Sequence, residues 1–127
     1  MKVRFALQQE IDRWNEIIIS NPDGGNFNQS SELAKLKSQY GWKVRFIVME
    51  TCAFTVHERF IFGLGKLWYI PKGPGVNSIK DLRKLVDPLR KFAQKNGVFV
   101  IKIEPEIIKN DKNILEILWD FILNCEL

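Results

Sequence analysis

The residues best suited to chemistry stand at the ends of two predicted strands. Lys72 and Gly73 lie in a turn between Pro71 and Pro74, directly after one strand. Glycine allows a ligand to approach the backbone closely, and the prolines keep the turn stiff. Glu104 follows another strand, where its carboxylate would face the crevice in which open sheets bind ligands. Both positions are candidate ligand sites, although such a turn also serves simply to reverse the chain and strand ends often carry solvated acids.

Several other kinds of site are not supported by the sequence. His57 is the only histidine, so neither a histidine metal cluster nor a Ser-His-Asp triad can be built around it, and it is predicted on the polar face of a strand. The stretch from Arg59 to Gly65 is similar to an acetyl-CoA phosphate loop but leads into a strand, so the phosphates would lack a helix N-terminus. No cofactor and no metal are therefore predicted.

Helical periodicity predicts four helices that could carry or cover these positions. The first spans residues 9–20, and the second begins at Ser30 or Ser31 and ends near Tyr40, with Lys35 and Lys37 on it. A third, over residues 78–96, has an apolar stripe and is predicted to bend or restart at Pro88. The fourth, residues 113–123, is apolar almost all the way round and needs partners on several sides.

Period-two alternation predicts strands between these helices. The alternation in residues 44–48 and 54–62 predicts an antiparallel pair, and residues 67–70 are predicted to form a short strand that stops at Pro71. The near-continuous apolar run 98–103 is typical of a central strand. The order predicts an α/β fold with a mixed sheet covered by helices on both faces. All four tryptophans are assigned to the core: Trp14, Trp42, Trp68 and Trp119.

Composition limits the possible partners without naming one. The 127 residues, 46% of them hydrophobic, are enough for a single globular domain. A net charge of +4 favours phosphate-bearing partners. The sequence shows no apolar run long enough for a membrane span and no secretory signal, which predicts a protein of the cytoplasm or of the cytoplasmic membrane surface. Cys52 and Cys125 are expected to be free thiols.

Three stretches resemble the Fem family of non-ribosomal peptidyltransferases (FemABX) in order and spacing, over about residues 12 to 107. The matching residues are Asn21-Pro22-Asp23-Gly24 with Phe27, Gln29, Ser30, Ser31, Ala34-Lys35-Leu36-Lys37 and Gly41-Trp42; Gly65 to Pro74; and Ile101 to Glu106.

The resemblance implies a fold, a reaction and roles for particular residues. Family members resemble two acetyltransferase-like (GNAT-like) halves joined across a substrate channel, and this chain would be the amino-terminal half. The implied reaction transfers an amino acid from aminoacyl-tRNA, the co-substrate, to the stem peptide of a peptidoglycan precursor, nucleotide-linked or lipid-linked. The resemblance places Lys37, with Lys35 beside it, at the phosphates of the precursor, and Glu104 near the attacking amine. Without the resemblance, both lysines would be ordinary solvated helix residues.

The chain also departs from the family. Leu33 stands where the family frequently has tryptophan, Gly25 lengthens the preceding loop, and the second half is missing after Ile107. We therefore expect a single domain, residues 1–127, that is a fragment of a longer protein and inactive alone. The apolar segment 113–123 would pack against the second half of the domain or against another copy of the chain. The alternative function is a non-catalytic module that binds a phosphate-bearing ligand through Lys37 and Lys72.

Overall fold

The computed structural model describes residues 1–106, so the predicted helix 113–123 and the residues Trp119 and Cys125 lie outside it. The elements in chain order are β1 (Val3–Phe5), α1 (Gln8–Ile11), α2 (Trp14–Ile19), a 3-10 turn (Phe27–Gln29), α3 (Ser31–Ser38), β2 (Lys43–Met49), β3 (Ala53–Ile61), β4 (Gly65–Ile70), α4 (Ile79–Lys95) and β5 (Val98–Ile103).

The strands form one mixed sheet in the order β1-β2-β3-β4-β5. The first three pairs are antiparallel and β4 pairs with β5 in parallel, which confirms the predicted β2–β3 pair and the strand before Pro71. The prediction of a central position for residues 98–103 is wrong within the described part of the chain, where β5 lies at one end of the sheet. Its apolar character reflects packing under a helix, with Val98 and Ile101 fully buried, whereas Lys102 is exposed.

One face of the sheet packs against α4. The side chain of Ser78 caps this helix by accepting a hydrogen bond from the backbone N–H of Asp81. The helix continues through Pro88 as a single element, so the predicted restart does not occur. Its buried residues on both sides of the proline hold it to the sheet: Leu82, Leu85, Leu89 and Ala93. They meet a sheet core that includes Ile47, Phe54, Val56, Trp68, Ile70, Ile101 and Ile103.

The other face is covered by α2 and α3, so helices lie on both faces and the predicted α/β fold is confirmed. The predicted helix 9–20 is instead two short helices, with a break at Asp12 and Arg13. The break separates two anchors: Glu10 pairs with Arg4 of β1 at 2.7 Å, and the Trp14 indole is buried against the sheet. Tertiary contacts thus override local helical periodicity in this segment.

Candidate functional site

A buried glutamine fixes the segment that leads into α3. The Gln29 side chain accepts a hydrogen bond from the Thr55 backbone N–H at 2.6 Å and donates one to the Pro71 carbonyl at 2.6 Å. The backbone carbonyl of Gln29 accepts a hydrogen bond from the Trp14 indole N–H at 3.1 Å. Gln29 therefore joins the start of α3, strand β3 and the turn after β4. The next residue, Ser30, caps α3 as predicted, because its hydroxyl accepts the N–H of Leu33.

A second buried amide holds the loop between α2 and α3. Asn21 donates a hydrogen bond to the Ala53 carbonyl at 2.7 Å and accepts one from the Ala53 N–H at 2.9 Å, as a neighbouring strand would. The same loop binds the segment after Pro74, since the Asp23 N–H donates to the Gly75 carbonyl and the Asn77 amide donates to the Pro22 carbonyl. The loops at this end of the sheet are thereby tied together.

The Lys72 turn is joined to the end of β5. The Glu104 N–H donates to the Gly73 carbonyl at 3.0 Å. Gly73 is buried, and a Cβ on it would come within 2.9 Å of Ile70 and 3.1 Å of the Gln29 amide, so close packing requires glycine here. Lys72 adopts a left-handed conformation with φ of 51° and is exposed. The backbone of this turn is held firmly while the lysine reaches solvent.

Strand register brings a group of side chains together on the sheet face that carries α3. His57 pairs with Tyr69, and Tyr69 pairs with Lys102. We call Trp42, His57, Tyr69, Lys102 and Glu104 the Tyr69 cluster. Its three rings form a triangle, with centroid distances of 6.0 Å from His57 to each of the other two and 6.4 Å between Trp42 and Tyr69.

Charged groups surround these rings. The Lys102 ammonium lies 5.2 Å from the Tyr69 ring centroid, and the Arg59 guanidinium lies 3.9 Å from that of Trp42. The Tyr69 hydroxyl donates a hydrogen bond to Glu104. Burial, followed by this contact with the carboxylate, raises the pKa of Tyr69 to about 12. Tyr69 therefore stays protonated at neutral pH and holds Glu104 as an acceptor.

The imidazole of His57 is 1% exposed, and neither ring nitrogen has a hydrogen-bond partner among the described residues. Burial, together with the nearby positive charge of Lys37, lowers the pKa of His57 to about 4. The prediction of a place on the polar face is correct in register, since Thr55 and Arg59 share that face, but His57 itself is covered. A neutral ring with two unused nitrogens beside a lysine is the least satisfied polar group of the cluster.

We expect His57 to remain neutral down to about pH 4, which an NMR titration can follow without overlap because it is the only histidine. The folded pKa is below the ordinary value of about 6.5, so the unfolded chain binds the proton first. The contribution of the neutral His57 to the free energy of unfolding is therefore complete above about pH 6.5, and it falls as the pH drops towards 4. Lys37→Ala should raise this pKa, whereas Lys35→Ala should leave it unchanged. A wild-type pKa near 6.5 would contradict the buried placement.

The structure brings some of the predicted site residues together and leaves others apart. Lys37 lies near enough to His57 for its charge to act on the ring, and the N–H of Trp42 donates to its carbonyl. Lys37, Glu104 and Gly73 are thus linked through the Tyr69 cluster. Lys35 is exposed, and its charge acts on Glu32. Positions two apart on a helix do not share a face, so Lys35 points away from Lys37.

Lys72 is connected to the cluster by its backbone neighbour Gly73 alone. Within residues 1–106 no hydrogen bond or ion pair joins its side chain to the cluster. Sequence reasoning missed Tyr69 and Lys102 entirely and assigned Trp42 to the core, although it is only half-buried. The signal was the pairing register of β3, β4 and β5, which places one residue from each strand side by side.

A separate open cavity of about 370 Å³ lies beside the loop between α2 and α3. Its wall is largely apolar and includes Ile18, Ile19, Gly25, Phe27 and Glu32. None of the predicted site residues lines it. Because it lacks a cluster of charged or unpaired groups, we place the candidate site at the Tyr69 cluster instead.

The fold is of the α/β class, and the Tyr69 cluster forms a charged, aromatic candidate site on one sheet face. The FemAB family model matches residues 8–117, and the chain therefore belongs to the FemAB family. The crystal structure of FemX is similar over 94% of this chain, with a TM-score of 0.65 and 26% sequence identity. The match covers 31% of the FemX chain, so this chain spans about a third of that length. No match to a curated protein reaches significance.

Membership of this family confirms the predicted resemblance, and the likeness to FemX agrees with the mixed sheet described above. Among residues 1–106 no helix has the length and apolar character that a membrane crossing demands.

Proposed function

We propose that this chain forms the precursor-binding part of an aminoacyltransferase that builds peptidoglycan bridges. The observation that carries the proposal is the path from Lys37, whose charge acts on His57, through the ring contact of His57 with Tyr69 to Glu104. The Lys37 ammonium and the Glu104 carboxylate lie at the two ends of this path, with the rings of His57 and Tyr69 between them. A precursor carries phosphates at one end and a free amine on its stem peptide at the other, so the two ends of the path match the two ends of such a ligand.

Each end of the path suits its part of the ligand. Lys37 supplies a compact positive charge with three donors for phosphate oxygens. Trp42 and Tyr69 offer ring faces for a sugar or base, although Arg59 already covers the ring of Trp42. Glu104 is fixed by the Tyr69 hydroxyl and by its backbone bond to Gly73, which lets it orient an ammonium or amine.

In the proposed reaction the stem-peptide amine attacks the ester carbonyl of an aminoacyl-tRNA. The new C–N bond replaces the C–O bond to the ribose, and the amine proton ends on the ribose oxygen that leaves. Glu104 accepts a hydrogen bond from the amine and aligns its lone pair. The tRNA is a co-substrate, and no other cofactor is invoked. The family membership supports this class of reaction.

Calorimetry with UDP-MurNAc-pentapeptide tests the binding step. We expect the chain to bind this ligand, and Lys37→Ala to weaken the binding about tenfold or more, because a charge-assisted contact to phosphate is lost. Lys84→Ala is the matched control, since Lys84 is exposed on α4 across the sheet. Lys35→Ala should have a smaller effect than Lys37→Ala. Equal affinity of wild type and Lys37→Ala, or no binding by wild type, would remove the basis of the proposal.

A non-catalytic binding module is the second candidate. It is favoured by one observation: a Glu104 carboxylate oxygen already accepts a hydrogen bond from the Tyr69 hydroxyl, which makes the carboxylate a weaker base. An assay of amino acid transfer from aminoacyl-tRNA to the same precursor separates the two. Transfer that Glu104→Gln reduces supports the enzyme. Precursor binding that persists with no transfer by the longest natural form of the protein supports the module.

A further inference from the structure

The tip of the β3–β4 hairpin exposes large apolar side chains to solvent. Phe62 is 95% exposed, Phe60 is 70% exposed and Leu64 is 60% exposed. Residues 62–64 form the turn itself, closed by the hydrogen bond from the Leu64 N–H to the Ile61 carbonyl at 3.0 Å. Tyr40, whose carbonyl accepts a hydrogen bond from Arg59 of the same hairpin, is 66% exposed. Clustered exposed apolar groups of this size mark an interaction surface.

Three described segments next to the hairpin tip carry only positive charge. They are the segments 40–43, 59–66 and 95–98, which hold Lys43, Arg59, Lys66 and Lys95 and no aspartate or glutamate. The segments are adjacent, since Phe60 pairs with Lys66 and the Lys66 N–H donates to the Gly97 carbonyl. Glu58, which precedes Arg59 in β3, is buried and paired with Arg45. The surface is therefore a protruding apolar tip flanked by cations.

We propose that this hairpin end docks on the surface of an anionic lipid bilayer. Phe62 and Leu64 enter the headgroup region, while Lys43, Lys66 and Lys95 lie against the lipid phosphates. Apolar side chains on one side of a headgroup boundary and lysines at its surface are what such binding requires. The proposal does not depend on a precursor binding at the Tyr69 cluster.

Two features favour lipid over a macromolecular partner. Lysine is depleted in the cores of protein interfaces, whereas each lysine near an anionic membrane adds attraction. The apolar residues also stand on a convex turn, which suits insertion between headgroups. RNA could stack on the exposed rings of Phe60 and Phe62, but it would leave Leu64 without a role, and Arg59 is held on Trp42 at 3.9 Å. An anionic bilayer accounts for the leucine, the phenylalanines and the cations together.

The docking would turn one edge of the Tyr69 cluster, at Trp42, towards the membrane. Arg59 belongs to the hairpin and contacts Trp42 of the cluster, so the two sites share one side chain contact. Tyr69 and Glu104 lie towards the far ends of β4 and β5, so a ligand bound across the cluster would extend away from the bilayer surface. The binding itself should be reversible and sensitive to salt, because a small apolar tip with a few cations is a marginal anchor.

Co-sedimentation of the 127-residue chain with vesicles tests the proposal. We expect binding to phosphatidylcholine vesicles that contain phosphatidylglycerol, weak binding to phosphatidylcholine alone, and a decrease with added salt. Phe62→Ser should lower the partition coefficient about tenfold. The control Phe27→Ser removes an equally large ring that is 68% exposed on another surface and should leave binding unchanged. Lys43→Glu with Lys66→Glu should remove the preference for anionic vesicles.

Three results would overturn the proposal: wild-type chain that does not sediment with anionic vesicles, Phe62→Ser that sediments as wild type does, or equal binding to neutral and anionic vesicles. If Phe62→Ser changed only self-association or only RNA binding, the hairpin tip would be a protein or RNA contact, and the proposal of lipid docking would be wrong. All substituted side chains are solvent-accessible, and circular dichroism of each variant confirms that the fold is retained. Precursor calorimetry on Phe62→Ser keeps this test separate from the proposed function, since that variant should bind the precursor normally.

Discussion

Gln29→Leu should lower the free energy of unfolding by about 3 to 5 kcal/mol. The leucine fits the volume but removes the acceptor of the Thr55 N–H and hydroxyl and the donor to the Pro71 carbonyl. Gln29 is 2% exposed, so water cannot replace these partners without opening the site. Each polar group buried without a partner costs about 1 to 3 kcal/mol. Urea unfolding followed by tryptophan fluorescence measures the change.

Gln9→Leu is the matched control, because Gln9 is exposed on α1 and the same substitution there should change stability by less than about 0.5 kcal/mol. The variant at Gln29 should also loosen the turn at Lys72, because the bond to Pro71 is what joins this turn to α3. A loss of under about 1 kcal/mol at Gln29 would show that the side chain does not hold these three segments together.

The elements that the sequence predicted well are those whose signals are local. Ser30 and Ser78 cap α3 and α4 through their own side chains, and the residues that follow keep helical periodicity. The alternation in β2 and β3 likewise reflects the two faces of each strand. The three-residue strand β1 is too short to show a period, and the break between α1 and α2 depends on Trp14 and Glu10 binding residues elsewhere. Such tertiary requirements leave no local pattern.

The candidate site could be predicted only in part for the same reason. Lys37 was found because a family resemblance marked its position, whereas Gly73 and Glu104 were indicated by the turn residues and the strand end. Tyr69 and Lys102 belong with them only through the pairing of β3, β4 and β5, which a single sequence does not specify. His57 looked like an ordinary polar strand residue because its cover comes from α3 and the segment after it.

Several residues of the resemblance serve the framework of the site instead of its chemistry. Asn21 substitutes for a strand neighbour of Ala53, Gln29 joins three segments, and Gly73 leaves room for Gln29. These contacts set the distance between α3 and the end of β5, which carry Lys37 and Glu104. The spacing of the residues that resemble the family therefore reflects the need to position Lys37 and Glu104. The two amides and the glycine provide the framework that holds these charged residues in place.

Arg45→Met should cost about 3 kcal/mol, because it removes the counter-charge of a buried carboxylate. Glu58 is 7% exposed and accepts hydrogen bonds from the Arg45 guanidinium at 3.3 Å and from the Trp68 indole N–H at 2.9 Å. Without Arg45, one neutral donor remains for the charge among the contacts described for Glu58. The guanidinium also lies 5.6 Å from the Phe5 ring centroid. Methionine would keep the dispersion contact with this ring but lose the cation–π attraction.

Adding Glu58→Gln to Arg45→Met should recover about 2 kcal/mol, because a neutral amide still accepts from Trp68 and needs no counter-charge. Glu58→Gln alone should cost about 1 kcal/mol, since Arg45 is partly exposed and its charge can be hydrated. Thermal or urea unfolding of the four chains gives the coupling energy directly. If the two single substitutions add to the double one, the pair contributes nothing beyond its separate parts, and the stability of the face under α4 rests on apolar packing around Trp68.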